Sequence, residues 1–190
     1  MTKLMYGIGY NSRGTYRASK NRKSTKAYIT WADMIKRCYS SKYHENKPTY
    51  IDCSVDERWH DFQDFAKWFY NHDFSNMGYQ LDKDLLIPKN KAYNSEACSF
   101  VPRELNMLLV SCGNARGKYP QGVYFQKASG KYMSAMRTGG ERMYLGYFNC
   151  PQEAYQVYKK AKEAHVKTKA LEWKDRIADD VFTALMNWQL

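Results

Sequence analysis

A chain of 190 residues with 44 % apolar content is long enough to bury a core, as one large domain or two small ones. It holds no run of about eighteen apolar residues and no apolar leader in its opening MTKLMYGIGYNSRG, so neither a membrane span nor a signal peptide is expected. The formal charge of +11 is segregated: residues 1–50 carry eleven Lys/Arg against two acids and residues 111–160 eight against two, while residues 51–110 carry six against ten. Basic flanks suit phosphate backbones, and an acidic centre suits metal ions.

Residues 1–27 contain seven Lys/Arg and no acid, with Gly7, Gly9 and Gly14 among Tyr6, Tyr10 and Tyr16. The GxG there lacks a preceding apolar strand and a third glycine, so it is no dinucleotide loop. Two readings stand for this segment, a flexible basic arm that tracks phosphates and a disordered tail. Trp31, Met34, Ile35, Cys38 and Tyr39 recur at helical spacing. A polar loop, Ser40 to Pro48, precedes a short strand expected at Tyr50, Ile51 and Cys53. Asp61 and Asp64 then open a second helix with a stripe of Phe62, Phe65, Ala66 and Phe69 behind Trp59. His44, His60 and His72 read as solvent-edge histidines. The five cysteines (Cys38, Cys53, Cys98, Cys112, Cys150) are odd in number and never form CxxC, which fits a reducing cytosol. Cys38, Cys53 and Cys98 read as small apolar core residues in preference to a zinc cluster.

The stretch LDKDLLIPKNKAYNSEACSFVPRELN, residues 81–106, reads as strand, long loop, strand, helix. Leu81, Leu85, Leu86 and Ile87 give the first apolar run. Cys98-Ser99-Phe100-Val101 gives the second, and Pro102 suits the first turn of a helix bearing Leu105, Leu108 and Leu109. This order resembles the ββα-metal site of HNH homing endonucleases, above all the small phage-encoded ones. The resemblance implies a metal-holding Asp at Asp82 and a helical Asn at Asn106, whose hard oxygens suit Mg²⁺ or Mn²⁺. It also places the catalytic His at Lys83 and the loop-pinning Asn at Ala97, two departures from the family pattern. A protonated lysine cannot take a proton from water. The other reading of Asp82 and Asp84 is that they are turn or capping residues. The wider pattern over residues 28–110, WxxMxxRCY through LDKD, also resembles phage and bacterial HNH-related proteins in which a basic residue commonly stands at the His position.

Residues 111–121, SCGNARGKYPQ, have linker composition. Beyond them Val123 and Phe125 alternate with Tyr124 and Gln126. Tyr132, Ser134 and Met136 alternate with Lys131, Met133, Ala135 and Arg137, and turns fall at Ser129-Gly130 and Thr138-Gly139-Gly140. This is a three-stranded antiparallel meander with one apolar face, covered by a helix from Pro151 with a stripe of Ala154, Val157, Tyr158, Ala161 and Ala164. The segment GVYFQKASGKYMSAMR…ERMYLGYFNCPQEAYQVYKKA resembles the AP2 DNA-binding domain. That resemblance implies a sheet face in the major groove made of Tyr124, Gln126, Met133, Ala135, Arg137, Arg142 and Tyr144. From Trp173 a further helical stripe runs through Ile177, Val181, Ala184, Leu185 and Trp188.

The expected class is α+β: an HNH-like ββα module over 28–110, an AP2-like sheet packed on a helix over 122–172, a basic arm over 1–27, a linker over 111–121 and a C-terminal amphipathic helix over 173–190. The resemblances imply a cytoplasmic DNA-binding protein of the phage homing-endonuclease type. Its partner is double-stranded DNA, and no membrane is involved. In the cleaving version Asp82 and Asn106 hold a divalent metal, and Lys83 stabilises charge developing on phosphorus. Tyr124, Gln126, Arg137, Arg142 and Tyr144, with Arg116 and Lys118 of the linker, contact DNA. A non-cleaving regulator or antagonist of host defence on the same scaffold, and a single-strand or RNA binder using the tyrosines, stand as alternatives. Monomer or homodimer is left open.

Overall fold

The computed structural model describes residues 4–110 and 118–190. The chain is mixed α and β, with six α-helices and small sheets among the described residues. It divides into two compact units. The first is Met1–Asn106 with Asp175–Ala184, and the second is Met107–Lys174 with Leu185–Leu190.

The first unit opens with a two-stranded ribbon, β1 (Ser19–Lys20) and β2 (Lys23–Ser24). Helix α1 (Lys26–Tyr39) begins where the Thr25 side chain accepts the Tyr28 N–H, and Lys36 and Arg37 sit in its last turn, at the negative end of the helix dipole. Its stripe of Ala27, Trp31, Met34, Ile35 and Cys38 is buried. A short α2 (Ser41–Asn46) follows. Residues Pro48–Tyr50 form a 3-10 turn, not the strand expected there, and the strand comes later as β3 (Ser54–Val55). In α3 (Phe62–Asn71) Asp61 caps the N-terminus, and Phe62, Phe65, Ala66 and Phe69 are buried against α1.

The basic arm is tied to this body. Tyr10 donates its N–H to the His60 carbonyl and accepts that of Phe62, at 2.9 and 2.8 Å. Ser12 donates to the Asp61 carboxylate. The Gln63 amide accepts the Tyr16 N–H and donates to the Tyr16 carbonyl and to Asn11 Oδ1. The flexible arm and the disordered tail both give way here to an ordered segment over residues 4–25. Composition carries no sign of it, because the bonds that hold the arm come from residues about fifty positions away.

Next come β4 (Gln80–Asp82), β5 (Ala92–Tyr93), β6 (Ser99–Val101) and α4 (Arg103–Leu109). β4 pairs antiparallel with β6, and β5 pairs parallel with β3. The apolar run expected as one strand through Ile87 stops at Asp82. The Asp82 carboxylate accepts the N–H groups of Asp84 and Leu85, at 3.0 and 2.7 Å, and turns the chain out of the sheet. Phe100 of β6 completes the aromatic core, edge-on to Phe69 at 5.3 Å and stacked on Trp68 at 5.5 Å.

The second unit is a meander of β7 (Val123–Gln126), β8 (Lys131–Thr138) and β9 (Glu141–Phe148), backed by α5 (Pro151–Trp173). The buried stripe of α5 is Ala154, Tyr158, Val166 and Ala170; Val157 and Ala161 are half-buried and Ala164 is exposed. Gly122, at φ +77, lies so close to the Tyr158 ring that a Cβ there would fall inside its edge. The expected single helix from Trp173 is instead the end of α5, a 3-10 turn at Lys174–Arg176 and α6 (Asp179–Met186). Ile177, Val181 and Leu185 are buried. No helix among the described residues is long and apolar enough to cross a membrane.

Candidate functional site

Strand register assigns the two faces of the meander. On one face Val123, Ser134 and Met136 are buried, and Thr138 lies 3.4 Å from His165 of α5. The opposite face carries Gln126 beside Lys131, Tyr124 and Tyr147 flanking Met133, Tyr144 beside Ala135, and Arg142 beside Arg137. Tyr124, Tyr144 and Tyr147 are 45, 63 and 54 % exposed, yet Met133 and Ala135 beneath them are buried. One side chain crosses the central strand. Arg142 of β9 reaches over Ala135 to place its guanidinium 5.0 Å from the Tyr124 ring centroid on β7. A small residue at 135 leaves room for that crossing. Both arginines and all three tyrosines therefore stand on one open surface.

Tyr147 has no place in simple alternation from Arg142 and Tyr144. The register shifts between Ser134 and Ala135, and Gly146 takes φ +136 at that bulge. One extra residue in β9 inverts the phase and returns Tyr147 to the open face. Glycine inside an otherwise regular strand, in LGYF, is the signal that could have found it.

In the first unit the ββα candidates sit on β4, on α4 and on the loop that follows β4. Asp82 is half-buried; burial and the neighbouring Asp84 push its carboxyl above the usual range. The Asn106 amide donates to Gln80 Oε1 at 3.0 Å. Gln80 precedes Asp82 by two residues on β4, so their side chains share a face about 7 Å apart. Asn106 of α4 is thus tied to β4 through Gln80, on the strand that also carries Asp82. Lys83 faces the loop that follows β4. It is 8 % exposed, its Nζ donates to the Asp84 carboxylate and the Asn90 carbonyl, each at 3.0 Å, and it lies over the Tyr93 ring. Burial works to lower its pKa, but the Asp84 hydrogen bond and charge outweigh it and the ammonium is held above its ordinary value. Its charge serves the loop.

The residue that pins the loop is Asn90. Its Nδ2 donates to the carbonyls of Lys83 and Ala92, both at 2.6 Å, and its Oδ1 accepts the Ala92 N–H. Ala97, where the resemblance would set that asparagine, is buried and apolar.

No family model, curated protein or solved structure matches this chain.

The remaining chemistry-bearing residues fall into place around these two surfaces. Among the described residues no three His, Cys, Asp or Glu side chains gather as a metal set. Burial pushes the Cys38 and Cys98 thiols up to about 12 and raises Cys53 as well, so all three are protonated core residues. His72 is half-buried. Its ring meets Phe100 edge-on at 5.0 Å, and its Nε2 lies 3.4 Å from the Oγ of Ser99, the cross-strand partner of Asp82. Lys118 and Gln126 are exposed, and Arg116 lies outside the described residues.

Proposed function

We propose that this chain binds duplex DNA through the open face of its meander, as a protein of the phage HNH/AP2 type. The observation that carries the reading is the Arg142–Tyr124 pair laid across Ala135. Stacking on the ring fixes a planar cation and leaves its N–H edge free for a guanine or a phosphate, which lowers the entropy lost on binding. Arg137, Lys131 and the exposed tyrosines extend the same surface, and β-ribbons and sheets do enter the major groove. The test is duplex selection and titration at several salt concentrations. A steep salt dependence with site preference supports the reading; binding that is indifferent to Arg142→Ala overturns it.

Cleavage is a second reading, favoured by one observation: a carboxylate at Asp82 held in a poorly solvated site beside Asp84, while the adjacent lysine is spent on Asp84. Asp82 and the side-chain oxygen of Asn106 match, in kind, what Mg²⁺ or Mn²⁺ prefers, and such an ion would act as a Lewis acid on a phosphodiester. Non-cleaving binding is the simpler conclusion, and a nicking assay on supercoiled plasmid separates the two.

A further inference from the structure

A second surface lies far in sequence from the meander. The ordered arm and α3 enclose an open groove of about 330 Å³ lined by Thr15, Tyr16, Arg17, Lys20, Thr25 and Tyr70. That is at the small end of ligand sites, about 300–1,000 Å³, and has room for one nucleotide unit but not for a duplex. Tyr16 and Tyr70 stack with ring centroids 5.4 Å apart and planes inclined by 17°. Tyr70 is 42 % exposed. No acid lines the groove, and the chain has none before Asp33.

The cations around it are uncompensated. Among the described residues Arg13, Arg17, Lys20, Arg22 and Lys23 are exposed, and none is paired with a carboxylate. Arg22 closes the β1–β2 turn at φ +61, and Asn21 precedes it at φ +51. Glycine would sit there without strain, so a cation is kept at the tip at a conformational cost. The walls are rigid: Gln63 clamps Tyr16 by both ends of its amide, and the Thr25 hydroxyl donates to the Arg17 carbonyl. An aromatic face beside fixed cations is the pairing that single strands use, with the base on the ring and the phosphate on the charge. Paired bases offer no free face to such a ring.

We propose that this groove takes an unpaired nucleotide of a nucleic-acid strand, with the base on the Tyr70–Tyr16 stack and its phosphate between Arg17 and Lys20. It stands apart from the duplex reading of the meander and survives if that reading fails.

The test titrates the full chain with a short labelled oligothymidylate and, separately, with a duplex. Tyr70→Ala is expected to weaken oligothymidylate binding on the order of ten-fold, and Tyr70→Phe to retain it, because the ring carries the base. Arg17→Ala with Lys20→Ala is expected to weaken binding and flatten its salt dependence. Duplex affinity stays unchanged in all three, and an unchanged melting temperature shows that they fold. Conversely, Arg142→Ala leaves oligothymidylate binding intact. Full retention of oligothymidylate binding in Tyr70→Ala overturns the proposal. So does equal loss of duplex and single strand, or displacement of the oligonucleotide by polyglutamate as readily as by unlabelled oligothymidylate.

Discussion

The guanidinium of Arg142 and the ring of Tyr124 meet at 5.0 Å across a strand to which neither belongs. Arg142→Ala should weaken duplex binding by about 1–3 kcal/mol and reduce the salt slope by about one. Arg142→Lys should recover the charge but not the full affinity, since an ammonium does not stack as a planar cation does. Anisotropy titrations at two salt concentrations check both. A lysine variant equal to the parent would show that charge alone matters.

Two glycines hold the surface in shape. Gly146→Ala forces a side chain into φ +136 and brings its Cβ to 3.1 Å from the Phe148 ring. A loss of about 1–3 kcal/mol is expected, together with weaker duplex binding as the bulge that presents Tyr147 relaxes. Gly122→Ala, driven into the Tyr158 ring, should cost more. Thermal unfolding ranks the two.

Asn90 holds the long loop by two 2.6 Å hydrogen bonds to carbonyls. Asn90→Ala leaves both acceptors without their donor and should destabilise the first unit by about 2–3 kcal/mol. Asn90→Asp should fare no better, because a carboxylate cannot donate. Denaturant titration gives the magnitude. Hydrogen exchange confined to residues 83–92 would show that the damage is local.

Asp82 separates structure from chemistry. Its carboxyl is raised by burial and by Asp84, so the charged form costs stability at pH values above its unfolded range. Asp82→Asn keeps an oxygen for the Asp84 and Leu85 N–H groups and should be neutral or stabilising at neutral pH. Asp82→Ala loses that cap and should cost about 1 kcal/mol. If the protein cleaves DNA, both variants abolish metal-dependent nicking, and Lys83→His, a core substitution, does not raise it. Nicking that persisted in Asp82→Asn would remove Asp82 from any metal site.

His72 sets an acid limit. Burial holds its imidazole below the histidine value of 6.5, against the pull of Asp180 and Asp73. As pH falls through about 6.5 the unfolded chain takes up the proton first, so the stability it contributes is present above that value and lost below it. Melting temperature should fall between about pH 7.5 and about pH 5.5. His72→Gln should flatten that slope, and an unchanged slope would assign the acid sensitivity to other groups.

The sequence alone determined what local periodicity controls. The α1 stripe of Trp31, Met34, Ile35 and Cys38, the α3 stripe capped by Asp61, and the meander with its turns at Gly130 and Gly139-Gly140 are visible because burial repeats with the period of each element. The same alternation placed Tyr124, Arg137, Arg142 and Tyr144 on one face. Tertiary structure decided what depends on partners remote in sequence. Asp82 ends its strand where its carboxylate accepts the N–H groups of Asp84 and Leu85, and Lys83 turns inward because Asp84, Asn90 and Tyr93 satisfy it there. Tyr147 reaches the open face only through a register shift. The arm is ordered through bonds to Asp61, Gln63 and the backbone of His60 and Phe62. Periodicity reports which side of an element is buried; it carries no information about which distant atom completes a hydrogen bond, and those bonds positioned both candidate surfaces.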